Sequence, residues 1–372
     1  MRIGIDATAL PPQPFGAANY IVNLIQVLLR TDPTNDYVVF AKPLHVPLFE
    51  QRGRARVIRA PLATRILRIA WEQTGLPWLA QQHRLDVLHS PHYTMPLAAR
   101  CATVVTFHDM IFFLHPEMHL PYKRLFFRTM IPWSARRADA VIAISQSTRA
   151  DMLRLLNVQP ERVFTVPYGI APFFHRVEPL QAQETCRRYN LPQRFVLYVG
   201  NLEPRKNLTA LVRAFARIVQ SDLPHSLVMA GSRGWMDTEI FSTIRELDLT
   251  SRVCFPGYVP QQELPALYNA ADLFVYPSLY EGFGLPVLEA MACGVPVVTS
   301  NISSMPEIAG DAGILVNPRD ADALAEAMAR VLTDRALRDT LASKGPARAK
   351  SFSWERTAQE TLAVYRYAAQ LQ

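Results

Sequence analysis

Short apolar runs alternate with amphipathic stretches along the chain, and the alternation occurs in two successive series. Runs that are apolar throughout are typical of strands in parallel sheets, because helices cover both faces of such sheets. The first series predicts strands at 2–6, 37–41, 86–89, 102–107 and 140–144. The second predicts strands at 195–199, 226–230, 252–255, 273–276 and 295–298. We therefore expect an α/β protein with two doubly wound domains, each binding ligands at the carboxyl ends of its strands.

A stretch rich in proline and glycine, 167–193, separates the two series and is expected to be a loop. Placing the boundary there gives a first domain over 1–175 and a second over 176–352. Ser353 is suited to cap a closing helix over 353–372, which could cross back to the first domain. Other helices are expected at 17–30, 121–137, 146–156 and 206–220.

The formal net charge of +7 is distributed unevenly along the chain. Residues 1–170 hold 19 Lys and Arg against 11 Asp and Glu, whereas residues 171–372 hold 20 against 21. A basic first half favours an anionic partner such as a membrane surface, a lipid phosphate or nucleic acid, and general solubility explains it equally well. No apolar run reaches the roughly 18 residues that span a bilayer. With scattered cysteines and no signal peptide expected, the sequence predicts a cytoplasmic protein with peripheral contact at the inner face of the membrane.

The segment 276–300 contains the strongest functional pattern, a strand followed by a glycine-rich loop and a helix. Loop amides and a helix N-terminus favour an anion such as a diphosphate. Glu281 precedes the helix and Glu289 lies about one turn inside it, where carboxylates can accept from sugar or ribose hydroxyls. Either glutamate alone is more simply a cap or a solvated helix residue, but the glycine loop and the segment 291–296 favour a ligand site. The loop residues expected to contact the ligand are Gly282, Phe283, Gly284 and Leu285.

This segment resembles the E-x7-E signature of the GT4 family of retaining glycosyltransferases, with both glutamates at the signature spacing. The resemblance continues through 301–313, covers the second domain and extends more loosely over the first. It implies a GT-B fold, in which two Rossmann-like domains face each other across a cleft. It further implies that the second domain holds a nucleotide-sugar donor and the first an acceptor, with no metal or other cofactor. Glu281 would contact the donor sugar and Glu289 the ribose hydroxyls.

Arg205 and Lys206 follow the predicted strand 195–199, where they could neutralise charge on a departing diphosphate. A solvated Arg-Lys pair is commoner in general, but the place at a strand end favours a functional role, and the GT4 resemblance implies the same. Gly200 is a donor-binding candidate in this loop, and Asn207 is suited to help begin the following helix.

Further candidates follow strands of the first domain. His108 could hydrogen-bond a donor hydroxyl and orient the acceptor, while Asp109 could fix the histidine tautomer or the loop. Alone, a His-Asp pair is more often structural, but the resemblance implies an active-site role for His108. It also implies that Gly16, where many family members have two glycines, lies in the acceptor and diphosphate loop. Asn19 and Asp109 are candidates on the acceptor side.

Gly257 and Tyr258 follow another strand and could form a base pocket or simply a tight turn. Asp320 and Asp322 resemble a metal-binding pair, but they begin an apparent helix, where acidic residues stabilise the N-terminus. The basic stretch 122–130 lacks the aromatic-basic motif of RNA modules, so no nucleic-acid partner is expected, and membrane-surface contact suits it better.

These residues together predict transfer of a sugar, with retention, from a nucleotide-diphosphate donor to a glycan or lipid-linked acceptor. GDP-mannose is the preferred donor because the stretch from 106 onward resembles mannosyltransferases of polysaccharide assembly, while UDP-glucose and related donors stay open. The alternatives are a noncatalytic nucleotide-sugar-binding partner protein and a GT-B sugar epimerase or phosphorylase.

Overall fold

The computed structural model describes residues 1–12, 16–50, 55–234 and 237–372. They form two compact units: unit 1 comprises Met1–Gly169 with Ser353–Gln372, and unit 2 comprises Ile170–Phe352. The division lies a few residues before the 175/176 boundary expected from the sequence. The closing helix belongs to unit 1 and is capped by Ser353, whose hydroxyl accepts from the backbone N–H of Arg356 at 3.1 Å.

Both units are built on parallel sheets. The strands are β1 (Arg2–Asp6), β2 (Asp36–Ala41), β3 (Ala55–Arg59), β4 (Val87–Ser90), β5 (Ala102–Phe107), β6 (Ala140–Ala143), β7 (Val163–Thr165), β8 (Phe195–Val199), β9 (Ser226–Ala230), β10 (Val253–Gly257), β11 (Leu273–Tyr276), β12 (Val297–Ser300) and β13 (Ile314–Val316). The sheet of unit 1 has the order β3-β2-β1-β4-β5-β6-β7, and that of unit 2 the order β10-β9-β8-β11-β12-β13. The predicted α/β class with two doubly wound sheets is confirmed.

Helices alternate with these strands. They are α1 (Ala17–Thr31), α2 (Pro47–Glu50), α3 (Arg65–Gln82), α4 (Ile111–Leu114), α5 (Pro121–Arg137), α6 (Gln146–Leu155), α7 (Pro179–Arg188), α8 (Leu208–Gln220), α9 (Thr238–Glu246), α10 (Leu264–Ala270), α11 (Leu285–Ala292), α12 (Met305–Ala309), α13 (Ala321–Thr333), α14 (Arg335–Ala349) and α15 (Trp354–Ala369). α7 lies inside the stretch 167–193, so the expectation of a loop there was wrong over these residues. Within α1, Ile21, Leu24, Ile25 and Leu28 are all buried, which is the spacing of one helix face on a sheet.

The strand order in each sheet reverses at one place, and this fixes where the loops can hold a ligand. In unit 1 the reversal lies between β1 and β4, and Ile3 pairs with Tyr37 on one side and Val87 on the other. In unit 2 it lies between β8 and β11, where Phe274 is in register with Leu197. The loops that leave neighbouring strands in opposite directions at such a point open a crevice at the carboxyl edge of the sheet.

Candidate active site

Arg205, Lys206 and Glu281 meet at the reversal point of unit 2. The two cations lie in a 3₁₀ turn, Pro204–Lys206, that follows β8, and Glu281 lies in the loop after β11. A backbone hydrogen bond from Leu279 to the carbonyl oxygen of Arg205, 2.9 Å long, ties one loop to the other. The sheet order thus brings together residues that are far apart in the sequence.

The Glu281 carboxylate receives four contacts, which define the group that we call the Glu281 cluster. Its Oε1 accepts from Lys206 Nζ at 2.6 Å, Ser278 Oγ at 2.9 Å and Tyr276 Oη at 3.0 Å. Its Oε2 lies 2.7 Å from Arg205 Nη1. Arg205 Nη1 also donates to the carbonyl oxygen of Tyr280 at 2.8 Å. Both cations and the carboxylate therefore hold one another in fixed positions.

The charged groups of this cluster stabilise one another in their ionised forms. Burial alone would raise the pKa of Glu281, but Arg205 and Lys206 outweigh it and lower that pKa to about 2. Burial opposes the charge on Arg205 as well, yet Glu281 raises its pKa above the usual range. Burial, followed by repulsion from Arg205, lowers the pKa of Lys206, and Glu281 counteracts this. The ionised Glu281 is thus what allows two adjacent cations to persist in a buried place.

The loop that carries Glu281 is held through its backbone. The hydroxyls of Ser303 and Ser304 donate to the carbonyl oxygen of Glu281 at 2.5 and 3.0 Å. Gly284 caps α11 with φ 110°, and a Cβ atom there would lie 2.2 Å from Cε of Met305. This dihedral angle favours glycine, whereas the flexible end of the Met305 side chain could move away from a Cβ atom. α11 begins at Leu285 with Pro286 in its first turn, which confirms the helix that the sequence predicted after the glycine-rich loop.

Glu289 has a different environment from Glu281. It is buried on α11, and its Oε2 accepts from Tyr268 Oη at 2.9 Å. Burial raises the pKa of Glu289 to about 7, because the tyrosine hydroxyl opposes the shift only in part. The reading of Glu289 as a solvated helix residue is therefore wrong. The signature thus contains one carboxylate, Glu281, that is ionised at neutral pH and one, Glu289, whose pKa is near 7.

The other candidates of unit 2 follow strand ends. Gly200 comes after β8 and Gly257 ends β10, Tyr258 beside it is exposed, and Phe283 is buried. Asn207 was expected to help begin α8, but its side chain makes no cap and instead donates to the carbonyl oxygens of Pro277 and Pro318 at 3.2 and 2.6 Å. Asn207 is nevertheless the N-cap residue of α8, and its backbone carbonyl oxygen accepts from the N–H of Leu211 at 3.3 Å, while its side chain joins two loops. Asp320 caps α13 by accepting from two backbone N–H groups, which confirms the capping interpretation.

His108 lies directly after β5 of unit 1 and is buried. Its Nε2 lies 2.8 Å from the carbonyl oxygen of Pro91, which can only accept, so Nε2 carries the proton. Its Nδ1 then accepts from Tyr168 Oη at 2.5 Å. Burial lowers the pKa of His108 to about 3, so the ring is neutral at pH 7. Pro91, rather than Asp109, fixes the tautomer.

Three further candidates, Asp109, Gly16 and Asn19, belong to unit 1. Asp109 accepts from the backbone N–H of Ile111 at 3.1 Å and thereby shapes the loop. Gly16 precedes α1 with φ 55°, which a side chain rarely adopts, and the N–H of Asn19 donates to its carbonyl oxygen at 3.0 Å. Residues 13–15 of the predicted loop lie outside the described residues.

Several residues of these sites were missed from the sequence. The residues that hold the two glutamates are Tyr276 and Ser278 from β11 and the loop of Glu281, Tyr268 from α10, and Ser303 and Ser304 from the segment after β12. Around His108 stands an aromatic group formed by Tyr20, His92, Tyr93 and Tyr168. One sequence signal could have identified such a partner: Tyr276 ends a buried strand and lies next to the loop that carries Glu281. Within the ranges that the structure covers, no group of three or more His, Cys, Asp or Glu side chains could hold a metal ion.

Two doubly wound sheets, each with a ligand crevice at its reversal point, are the architecture of the GT-B fold, and solved GT-B glycosyltransferases share it with this chain. Residues 186–348 match the family model described as glycosyl transferases group 1, and residues 15–172 match that of glycosyltransferase family 4. The chain belongs to this family and is a glycosyltransferase of glycan biosynthesis.

Named relatives agree with this assignment. O-antigen chain mannosyltransferase B of Escherichia coli is 35% identical over 78% of this chain and 76% of its own length. Sucrose-phosphate synthase from Thermosynechococcus elongatus has a similar structure, with a TM-score of 0.78 and 26% identity over 100% of this chain and 98% of that one. HepE of Anabaena, solved in complex with UDP and glucose, has a TM-score of 0.76 and 22% identity over 98% of both chains.

Proposed function

We propose that unit 2 binds a nucleoside-diphosphate sugar, with GDP-mannose preferred, and that the sugar passes with retention to a glycan or lipid-linked acceptor bound by unit 1. The Glu281 cluster carries this proposal. It sets Arg205 and Lys206 at the carboxyl edge of a doubly wound sheet, the place where such sheets bind nucleotides.

The cluster supplies the electrostatic part of the reaction. Arg205, Lys206 and Glu281 together carry one net positive charge, and their positions are fixed before a ligand arrives. Charge that develops on a departing diphosphate is then stabilised without reorganisation of the site. Two cations can do here what a divalent metal does in other transferases, so we expect transfer without a metal or other cofactor.

The two glutamates divide the contacts with the donor. Glu281 adjoins the diphosphate cations and is placed to contact the sugar, whereas Glu289 accepts from the ribose hydroxyls. An ionised carboxylate accepts from two hydroxyls at once, while a protonated one must use an oxygen as a donor. Because the pKa of Glu289 is raised to about 7, donor binding should strengthen as the pH rises through neutrality.

Retention follows if the acceptor hydroxyl attacks the anomeric carbon on the face from which the phosphate leaves. The bond from that carbon to the phosphate oxygen breaks, the new glycosidic bond forms, and the hydroxyl proton passes to the departing phosphate. No protein base is needed, which agrees with a His108 that stays neutral at pH 7. Since both ring nitrogens of His108 have partners in the free protein, contact with a sugar hydroxyl requires the bond to Tyr168 to open.

Mannose is preferred because a relative with 35% identity is named as a mannosyltransferase of O-antigen chains. UDP remains the competing nucleotide, since HepE binds it on a similar fold.

Peripheral contact with an anionic membrane is the second part of the proposal. α5 exposes Tyr122, Leu125 and Trp133 beside Arg128, and apolar groups with neighbouring cations suit the surface of anionic lipids. No helix among the described residues is both long enough and apolar enough to cross a membrane.

A donor screen tests the proposed function. Thermal unfolding is followed with GDP, UDP and dTDP and with their sugars, and sugar release is measured with EDTA present. We expect GDP-mannose to raise the unfolding temperature and its mannose to be transferred with an α anomeric signal by NMR. Binding without turnover, or a β product, would contradict the proposal.

A further inference from the structure

A cavity of about 580 Å³ opens at the carboxyl edge of the sheet of unit 1. Its walls come from the segments that follow β1, β2, β3 and β4, together with the start of α5. This volume is typical of small-molecule sites, and the position is where parallel sheets bind ligands. The cavity therefore has the size and the place of a ligand site.

Four cationic side chains line this cavity, which we call the cationic cavity: Lys42, Arg65, Arg68 and Lys123. Among the described residues, the lining contains no Asp, Glu, Asn or Gln, and apart from Thr64 and His92 its other members are apolar or glycine. Sugar hydroxyls need side-chain acceptors, whereas converging cations bind oxyanions. The lining thus favours an anionic group over a neutral sugar.

Most of these cations lack a compensating carboxylate. Arg68 pairs with the buried Glu72 at 2.7 Å, and Lys42 Nζ donates to the carbonyl oxygen of Leu10 at 3.0 Å. Within the described part of the chain, Lys42, Arg65 and Lys123 make no ion pair.

The charge on Lys42 is also disfavoured in the free protein. Burial, followed by repulsion from Arg68, lowers the pKa of Lys42, and the carboxylate of Asp6 opposes this only in part. A bound anion would stabilise the charged form of Lys42.

We propose that the cationic cavity binds a phosphate or diphosphate carried by the acceptor. This rests on the proposed function, because it takes the acceptor to bind in unit 1. Planar guanidinium groups bind phosphate oxygens in a bidentate geometry, and the neighbouring lysines add positive charge that matches the several negative charges of a diphosphate.

The surroundings of the cavity point to a lipid-linked acceptor. Ile21, Leu62 and Phe127 give the cavity apolar walls next to its cations. Ile66 and Leu125 are exposed on α3 and α5, the two helices that supply Arg65 and Lys123. A chain that carries hydrocarbon beyond its phosphate is therefore suited to this part of the molecule.

Calorimetric titration with geranyl diphosphate, inorganic pyrophosphate and geraniol tests the proposal on the full chain. We expect geranyl diphosphate to bind and geraniol not to bind. Each of Lys42→Met, Arg65→Gln and Lys123→Gln should raise the Kd for geranyl diphosphate about tenfold, as for loss of a charged hydrogen bond. Arg124→Gln is the matched control, since Arg124 is exposed one residue further along α5 and lies outside the lining. Tighter binding of geranyl diphosphate than of pyrophosphate identifies a lipid-linked source, and equal binding a soluble phosphate ester.

The same variants separate this inference from the proposed function. If the Kd for GDP or UDP rises as much as that for geranyl diphosphate, the cavity belongs to the donor and the inference is overturned. An unchanged Kd for geranyl diphosphate in Arg65→Gln, an exposed substitution that should not disturb folding, also overturns it. A wild type that binds geranyl diphosphate but no nucleotide contradicts the proposed function and leaves the phosphate site intact.

Discussion

The Glu281 cluster of unit 2 and the cationic cavity of unit 1 both place several cations at a sheet edge, but they compensate them differently. Arg205 and Lys206 share a carboxylate that is ionised before any ligand arrives. Lys42 and Lys123 line the cationic cavity and make no ion pair within the described chain, although Lys42 Nζ donates to the carbonyl oxygen of Leu10. A buried cation needs a partner in order to stay charged, whereas a partly exposed one does not.

This difference suggests a division of tasks. Preorganised charge that is screened from water stabilises a transition state most effectively, since it needs no rearrangement during the reaction. The partly exposed cations of the cationic cavity are suited to bind an anion and release it again, because neither step requires a large change in free energy. Substitutions in the Glu281 cluster should therefore affect turnover and stability strongly, and substitutions in the cationic cavity should affect affinity modestly.

The largest effect is expected from Arg205→Ala. Loss of one preorganised donor to a developing anion lowers kcat by about 10²–10³-fold. Single-turnover transfer from GDP-mannose measures this, with circular dichroism to verify the fold. Arg217→Ala on α8, where the side chain is half exposed and paired with Asp322, is the control and should change kcat little. A decrease below threefold in Arg205→Ala would show that the cluster is only structural.

Glu281→Gln tests whether the carboxylate keeps both cations charged. Removing one partner of a buried ion pair costs about 3–5 kcal/mol of unfolding free energy, which urea denaturation measures at pH 7. The pKa of Glu281 is lowered to about 2 from 4.5, so its contribution is present above pH 4.5 and is lost as the pH falls toward 2. The stability difference between wild type and Glu281→Gln should shrink over that range. A constant difference would contradict this.

Glu289→Gln should change how donor affinity depends on pH. Because the pKa of Glu289 is about 7, the ionised fraction falls roughly tenfold between pH 8 and pH 6. The donor KM of the wild type should rise by up to about that factor, while the KM of the variant should stay flat. The free energy of unfolding should change with pH in the opposite direction to donor affinity. Above pH 4.5 the unfolded chain has released the Glu289 proton while the folded protein still binds it. The contribution of Glu289 to stability therefore falls as the pH rises through 7. Parallel pH profiles for both proteins would refute the assignment.

Salt should produce the smallest effect and should separate the two regions. Exposed cations are screened by ions, and buried ones much less. Raising NaCl from 50 to 500 mM should weaken geranyl diphosphate binding several-fold and nucleotide binding less. Equal salt dependence would mean that the two sets of cations do not differ as described.

The strands that were predicted and those that were missed differ in their place in the sheets. All the predicted strands were found, but β3, β7 and β13 were missed, and each of them lies at an edge of its sheet. A strand at the edge of a sheet is less completely covered by other parts of the protein, so its residues need not all be apolar. β3 is an example, because it contains Arg56 and Arg59 and none of its residues is fully buried. The signal of a buried strand is therefore weak where half of the strand faces water.

The sites show a similar limit. Glycines, acidic residues and basic residues next to strand ends identified the loops, because their chemistry is local. The contacts of Glu281 with Lys206 and Ser303 could not be predicted in this way, since these residues come from separate loops that only the folded sheet brings together. The pKa difference between Glu281 and Glu289 depends on burial and on Arg205 and Lys206, which lie beside Glu281 only in the folded protein, so it was beyond the sequence as well.

The central claim is that Arg205 and Lys206 bind the donor diphosphate, and the ratio of the GMP to the GDP dissociation constant tests it most directly. This ratio isolates the affinity due to the second phosphate. Isothermal titration should give a ratio well above tenfold for the wild type and a clearly smaller ratio for Lys206→Ala, in which Arg205 alone remains to contact the second phosphate. The same ratio in both proteins would contradict the account.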